Sequence, residues 1–482
     1  MHRNSFIGLC LAAVLLTGAA CSKKEDTPDP KSNPPVVVTP TGPSQVAFWL
    51  TNTDRTALFA RQRNVLRFGP TTNAFPTITL DTTRTYQTID GFGYTLTGGS
   101  ALVINRMSAT SRADLLRELF ATDSTWLGVS YLRLSIGASD LSDRVFTYND
   151  VPGDVGLTQF SLAPDRADLI PVLKQILAIN PAIKIMGSPW TAPAWMKTNN
   201  SSRGGSLQPQ YYDAYARYFV KYIQQMAAEG ITIDAVTLQN EPLNPFNEPS
   251  MLMSAAEQTN FIKNNIGPAF AAAGIRTKII AYDHNPDQPG YPLAVLGDAA
   301  ARPYVEGSAF HNYGGSLVAA LNQVRDAYPG KGVYFTEFWT QAPGNMLTDF
   351  PNHMRELEIG ATRNWAKNVL EWNLASDAGY GPHTAGGCSD CLGAVTVAGN
   401  SVTRNPAYYT VAHASKFVRP GSVRVETNAP ANLPNVAFRN PAGKKVLLVL
   451  NTSSAPVQFN IEYKGKTVAT ALAGGSAGTY VW

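Results

Sequence analysis

Two glutamates in this chain each stand at the end of an apolar run. Ala235-Val236-Thr237-Leu238-Gln239 leads into Asn240-Glu241-Pro242, and Val333-Tyr334-Phe335-Thr336 leads into Glu337. A run of β-formers that stops at a carboxylate reads as a buried strand handing a charged group to a cleft. Two such carboxylates in one pocket can act on a glycosidic bond, one as proton donor and the other as nucleophile. A single Glu of this kind is also how many surface loops begin, so the weight falls on the elements around the pair.

Those elements alternate. Eight β-like segments are read at Gly91–Leu96, Val129–Ile136, Ile183–Gly187, Ala235–Gln239, Thr277–Tyr282, Gly307–His311, Val333–Thr336 and Val369–Asn373. Between them Arg112–Phe120, Asp165–Ile179, Tyr211–Glu229, Ala255–Ala273 and Leu317–Tyr328 carry apolar residues at helical spacing. Strand and helix alternating in this way predict an α/β fold, a (β/α)8 barrel. In such a barrel the active site lies at the C-terminal ends of the strands. Those ends are loaded with polar and aromatic groups. Arg133 and Asp140 flank the end of the second strand, and Ser188-Pro189-Trp190 ends the third. Asn240 and Glu241 end the fourth, Asp283-His284-Asn285 the fifth, and His311-Asn312-Tyr313 the sixth. Glu337 with Trp339 ends the seventh, and Trp372 with Asn373 the eighth. Asp283 and His284 are given substrate contact at most, and Glu248 is a rival acid set aside because it lies out in a loop.

The flanks read differently. Ala47–Leu50, Val65–Phe68 and Thr77–Leu80 before the barrel resemble short strands with turns. Val423–Glu426, Val436–Phe438, Lys445–Leu450, Val457–Tyr463 and Thr479–Trp482 after it alternate as half-exposed strands do. A side β-sandwich built from both ends of the mature chain is expected, with strands from 46–86 and 416–482 around a barrel at 87–415.

The beginning of the chain reads as an address. His2 and Arg3 precede an apolar stretch, Phe6 to Thr17, that is too short to span a bilayer comfortably. Leu16-Thr17-Gly18-Ala19-Ala20-Cys21 resembles a bacterial lipobox, which makes 1–20 a lipoprotein signal peptide and Cys21 the lipidated residue. An ordinary secretory signal with an incidental cysteine is the alternative. The Pro/Thr/Ser-rich residues of 21–45 read as a disordered tether. The expected location is the bacterial cell envelope, at the outer membrane, with membrane contact through the lipid anchor only.

The bulk numbers exclude several classes. A net charge of +4 over 482 residues, with no basic stripe, gives no reason to expect nucleic acid as a partner. A charged share of 15%, against the usual quarter, suits a loop-rich extracytoplasmic protein. Cys388 and Cys391 form one C-x-x-C without a second pair, for which a local disulfide is expected; nearby His383 keeps a metal alternative open. Gly91-Phe92-Gly93 lacks the third glycine and the acidic residue of a nucleotide motif. No cofactor and no metal is called for.

Several motifs recur in a set order. They include Gln87-Thr88-Ile89-Asp90-Gly91-Phe92-Gly93, Arg133-Leu134-Ser135-Ile136-Gly137-Ala138-Ser139-Asp140 and Ser188-Pro189-Trp190-Thr191-Ala192-Pro193-Ala194-Trp195-Met196-Lys197. Gln239-Asn240-Glu241-Pro242, His311-Asn312-Tyr313, Thr336-Glu337, Trp372-Asn373-Leu374-Ala375 and His413-Ala414-Ser415-Lys416-Phe417-Val418-Arg419-Pro420-Gly421 follow. In these the chain resembles glycoside hydrolase family 30, from about Gln87 to Trp482. The resemblance implies a retaining hydrolase, with Glu241 as general acid/base and Glu337 as nucleophile. The acid is expected to have its pKa raised by partial burial and by the neighbouring carboxylate. Asn240 is implied as donor to the sugar 2-hydroxyl, with a turn cap as its structural alternative. Arg133 is expected to pair with Glu337. Asp140, Trp190 and Trp372 match sugar-binding positions, and His311 and Tyr313 are expected beside the nucleophile; core packing is the alternative for Trp190, Trp372 and His311. The substrate expected is a β-glucan, first of all a β-1,6-linked one cut internally, because Tyr94-Thr95-Leu96-Thr97-Gly98-Gly99-Ser100 looks closer to the bacterial glucanase branch. The alternatives are an exo-acting β-glucosidase or glucosylceramidase-like hydrolase, a β-xylosidase or xylanase, and a carbohydrate-binding lipoprotein without catalysis.

Overall fold

The computed structural model describes residues 43–482 apart from residue 124. The expected leader, Cys21 and the tether as far as residue 42 lie outside the described residues. Eight parallel strands close into a barrel. They are β1 (Gly91–Thr95), β2 (Tyr131–Ser135), β3 (Lys184–Ser188), β4 (Ala235–Thr237), β5 (Lys278–His284), β6 (Val305–His311), β7 (Gly332–Glu337) and β8 (Ala366–Asn373). They neighbour one another in chain order, and β8 closes on β1 through Asn368↔Gly91 and Val369↔Phe92. From β2 to β8 each strand supplies one residue to a packed cluster: Tyr131, Met186, Ala235, Ile280, Ala309, Tyr334 and Leu370. The strand opposite Tyr131 carries Gly93, where any side chain would collide with the Tyr131 carbonyl.

The helices cover the barrel with their apolar stripes. Tyr212–Ala228 buries Tyr215, Tyr218, Phe219, Tyr222, Ile223 and Met226, the three-and-four spacing of one helix face. Ala109–Phe120 starts at Ser108, whose side chain accepts from the Ser111 amide. The stretch Ala255–Ala273, expected as one helix, is broken. A capped helix Ala255–Phe261 widens into a π-turn at Ile262–Ile266 and resumes as Gly267–Ala272. Pro268 explains the break, because it has no N–H to give to the carbonyl four residues earlier.

A nine-stranded sheet forms the side sandwich. Ala47–Thr51 runs antiparallel to Ala477–Val481, in register Ala47↔Val481, so both ends of the described chain meet. Thr77–Thr88 pairs with Val423–Thr427 and with Val457–Tyr463. The expected strand Val65–Phe68 is not one. It is tied instead by single bonds, Gln45 and Val46 amides to the Leu66 carbonyl and the Phe68 amide to the Gln45 side chain. Against the barrel the sandwich is fastened by His413, whose ring nitrogens lie 2.8 Å from the hydroxyls of Thr51 and Thr479. Burial holds that imidazole neutral, with its pKa down at about 3.

One buried carboxyl outside the strand ends carries a testable consequence. Glu358, on the π-helix Met354–Ala361, is fully buried, and neither of its oxygens has a hydrogen-bond partner among the described residues. Burial, and then the neighbouring Glu371, hold its pKa well above the usual carboxylate range. The folded protein therefore keeps a proton there that the unfolded chain gives up. The stability this brings is present below the ordinary glutamate pKa and is lost as pH rises towards the folded value. At pH 7 the proton taken up on folding therefore works against stability. Glu358→Gln keeps the shape without the cost. It should raise the Tm at pH 7 by several degrees and leave it nearly unchanged at pH 4. Equal shifts at both pH values would contradict this account.

Candidate active site

Three strand ends are bent before they deliver their residues. Pairing of β5 with β6 slips between Tyr282 and His284, β6 with β7 between Phe335 and Glu337, and β8 with β1 between Glu371 and Asn373. Such bulges re-aim side chains at a barrel rim. Glu241, Tyr282 and Asp283 also sit at φ of 47°, 73° and 79°, a region that L-residues avoid at a cost of about 1–3 kcal/mol each. Two bonds stabilise the conformation around Glu241: its amide donates to the Asp283 carbonyl at 2.9 Å, and the Asn240 amide to the Pro189 carbonyl at 2.7 Å.

The centre of the arrangement is Arg133, fully buried on β2. One arm donates to Glu337 Oε2 at 2.7 Å. The other reaches Asn240 Oδ1 at 2.6 Å and Asp283 Oδ2 at 2.8 Å. Its guanidinium carbon lies 4.8 Å from the centre of the Trp190 ring. Trp190 stacks on Trp372 at 5.4 Å, so two indoles and a cation form one wall.

Asp283, expected to touch substrate at most, takes another place in the structure. It is wholly buried behind Arg133, and it accepts from Ser188, Thr237 and Thr336 hydroxyls at 2.8, 2.7 and 2.6 Å. Burial opposes its charge, but Arg133, His311 and Thr336 hold it well below the usual range. It is a fixed anion beneath the site, turned inward by the β5 bulge.

His311 lies between the carboxylates. Nδ1 is 3.2 Å from Glu241 Oε1 and 3.7 Å from Glu337 Oε1, and Nε2 is 3.2 Å from Asp283 Oδ1. Burial works against its charge, but the surrounding Glu337, Asp283 and Glu241 push its pKa up to about 10. Glu241, His311 and Glu337 offer three ligand atoms within 4.8 Å of one another, a spacing that a metal would also use. A charged His311 presents its Nδ1–H to both carboxylates.

The protonation differs from the expected one. Burial raises Glu241, but the His311 bond and charge and the Asn244 amide outweigh it and hold the pKa at about 2. Glu337 is raised by burial, with His311 and Arg133 pulling against it. In the free protein Glu241 is therefore ionised rather than primed as an acid, and the nearest proton is on His311. Asn244 and Asn247, which sequence reasoning missed, donate to Glu241 Oε2 at 2.7 and 3.0 Å. Their only signal was position, in the short loop after Glu241.

The remaining residues converge on a cavity of about 260 Å³ lined by Asp140, Trp190, Glu241, Asn247, Tyr313, Glu337, Trp339, Trp372, Cys388 and Cys391. The Tyr313 hydroxyl donates to Glu337 Oε1 at 3.0 Å. Asp140 is almost fully buried, and burial followed by Glu337 and Glu241 raises its pKa to about 7. Cys388 and Cys391 are joined as a disulfide, which leaves no thiolate for a metal beside His383. Glu248, the rival acid, instead accepts from the Ser202 hydroxyl at 2.6 Å.

This constellation can place an acid, a nucleophile and a stacked sugar at one strand-end pocket. The chain is 38% identical over 408 residues to an endo-1,6-beta-D-glucanase of Trichoderma harzianum, covering 79% of this chain and 81% of the relative. It is 31% identical to the lysosomal acid glucosylceramidase of Mus musculus, covering 84% and 83%. A solved endo-beta1,6-glucanase superposes with a TM-score of 0.86 at 37% identity, covering 91% of this chain and 99% of that one. The glycosyl hydrolase family 30 TIM-barrel domain matches residues 89–418, and the family's beta sandwich domain matches residues 421–480. The two domain matches together cover the barrel and most of the side sandwich, and the chain belongs to glycosyl hydrolase family 30.

Proposed function

We propose that the protein is a retaining endo-β-1,6-glucanase. One observation carries the chemistry: Glu241 and Glu337 each bring an oxygen within 4.8 Å of the other and of His311. Retaining enzymes hold their carboxyl groups about 5–5.5 Å apart, whereas inverting enzymes need about 6.5–9.5 Å to admit a water. The linkage is supported by the endo-1,6-glucanase relatives, which are more similar to this chain than the glucosylceramidase.

In this reading Glu337 attacks the anomeric carbon while Glu241 protonates the departing oxygen. Glu241 receives that proton from His311 Nδ1 when a sugar fills the pocket. His311 is then neutral, with Nε2–H still directed at Asp283. Glu241 leaves the first step as a carboxylate and takes a proton from the water that attacks the glycosyl-enzyme. Arg133 fixes Glu337 and Asn240 together, so the attacking oxygen and the amide that meets the 2-hydroxyl move as one unit. Asp140 binds hydroxyls, and Trp190 and Trp372 face the apolar side of the ring.

The small pocket takes one pyranose ring, and this favours a second reading, an exo-acting β-glucosidase. Product analysis decides. Protein lacking the residues before Ser22, incubated with pustulan, should release an early ladder of gluco-oligosaccharides. Proton NMR of the first products should show the β-anomer ahead of mutarotation. Glucose alone would establish the exo reading, and α-anomer first would overturn the retaining one.

A further inference from the structure

The segment after β8 folds back over the pocket, and two of its donors serve one residue. The Thr384 amide and hydroxyl lie 2.8 and 3.3 Å from the Asp140 carbonyl oxygen, and Gly387 packs against that same carbonyl, where a Cβ would come within 2.4 Å. The same segment joins two other strand-end loops. Thr384 donates to the Glu248 carbonyl at 2.5 Å, and Gln341↔Cys391 and Thr340↔Leu392 pair as a short antiparallel ladder. Asp390 is held there as well, its carbonyl by the Ala342 amide and its carboxylate by the Gln341 side chain.

Between Thr384 and Cys388 stand Ala385, Gly386 and Gly387. Gly387 must be glycine, because a side chain there would overlap the Asp140 carbonyl. Gly386 has a φ of 85°. Glycines leave a backbone with the most freedom to lose, so this stretch does not hold its place against Asp140 by itself. The Cys388–Cys391 bridge does, because it fixes Cys388 to the paired strand residue Cys391. Cys391 is itself packed with Leu141, Trp190 and Trp372, with Cys388 and Trp339 against them.

We infer that the Cys388–Cys391 disulfide is a positioning element for Asp140, and that its sulfurs with the Trp190 and Trp372 indoles form the wall against which the glycone is bound. The inference rests on the proposed activity and extends it to the part of the site that sets sugar affinity. A sugar-binding carboxyl group that loses its place weakens sugar and transition state alike, which raises KM and leaves kcat nearly unchanged.

The test uses 4-nitrophenyl β-glucoside, because this substrate reports on the glycone side. Wild-type protein is compared oxidised, reduced with dithiothreitol and reoxidised, alongside a Cys388→Ser/Cys391→Ser variant. Opening the bridge should raise KM about tenfold or more, reversibly, with kcat changed far less. In an Asp140→Asn background, opening the bridge should add almost nothing. Gly387→Ala keeps the bridge but displaces Asp140. It should raise KM in the same way, which covers the case where the serine variant does not fold. Unchanged KM on reduction would overturn the inference, as would effects that add fully to Asp140→Asn. So would a change confined to the melting temperature. Wild-type turnover alone judges the proposed activity. Should turnover be absent, calorimetric binding of deoxynojirimycin to oxidised and reduced protein gives the same ratio.

Discussion

Glu337→Gly should lower kcat on β-glucosides by about 10⁴- to 10⁶-fold, the scale seen when a covalent nucleophile is removed. Added azide should restore turnover, with α-glucosyl azide as the product. The geometry gives the reason. Glu337 is held from below by Arg133 at 2.7 Å and from the side by Tyr313 at 3.0 Å, so its removal leaves an anion-sized space beneath the anomeric carbon. A small anion entering there attacks once and inverts. Glu241→Gly should behave otherwise. It should lose about 10²- to 10⁴-fold on glucan, and less on an aryl glucoside whose leaving group needs no proton. Azide should then trap the glycosyl-enzyme as the β-azide. The anomeric coupling constant of each product separates the two roles, and the reverse pair of outcomes would exchange them.

Removing Arg133 should be the most damaging single change to stability at the site. Arg133 is the cation that fronts both Asp283 and Glu337, and its side chain and that of Asp283 have no exposure at all. Arg133→Met would leave two carboxylates facing each other across an apolar residue. Breaking a buried ion pair by removing one partner costs about 3–5 kcal/mol. Denaturant midpoints should fall accordingly, and activity should be lost. Arg133→Lys should fold better yet remain poorly active, since one ammonium cannot span Glu337, Asn240 and Asp283 with a planar fork. The Arg133→Met/Asp283→Asn pair should cost less than the sum of its parts, because the orphaned charge is gone. An Arg133→Met protein as stable as wild type would refute this account of the centre.

Much of the scaffold was legible because its signals are local. Runs such as Val333–Thr336 are β-forming and end in charge, and Tyr212–Ala228 repeats its aromatic stripe every three or four residues. The cluster of polar groups at strand ends was legible for the same reason. What escaped depends on pairing between distant segments. The slip between Tyr282 and His284 that turns Asp283 inward arises from the register of β5 against β6. The proton distribution also escaped. Burial next to another carboxylate suggests a raised Glu241, but His311 arrives from another strand, and Asn244 and Asn247 fold back onto the same carboxylate. Val65–Phe68 reads as a short strand, yet it meets the sheet only at single points, the Leu66 carbonyl and the Gly69↔Thr467 bridge beyond it.

The pairing of Ala47–Thr51 with Ala477–Val481 has a consequence for how the molecule is made. On the ribosome, the first strand emerges long before the last one exists, and an unpaired strand is a template for wrong partners. The barrel between them is built from neighbours in sequence, so it can assemble while the side sheet waits open. Residues Ala477–Val481 then act as a latch: only a chain that reaches them closes the sheet, and one cut short of them leaves the edge of Ala47–Thr51 bare.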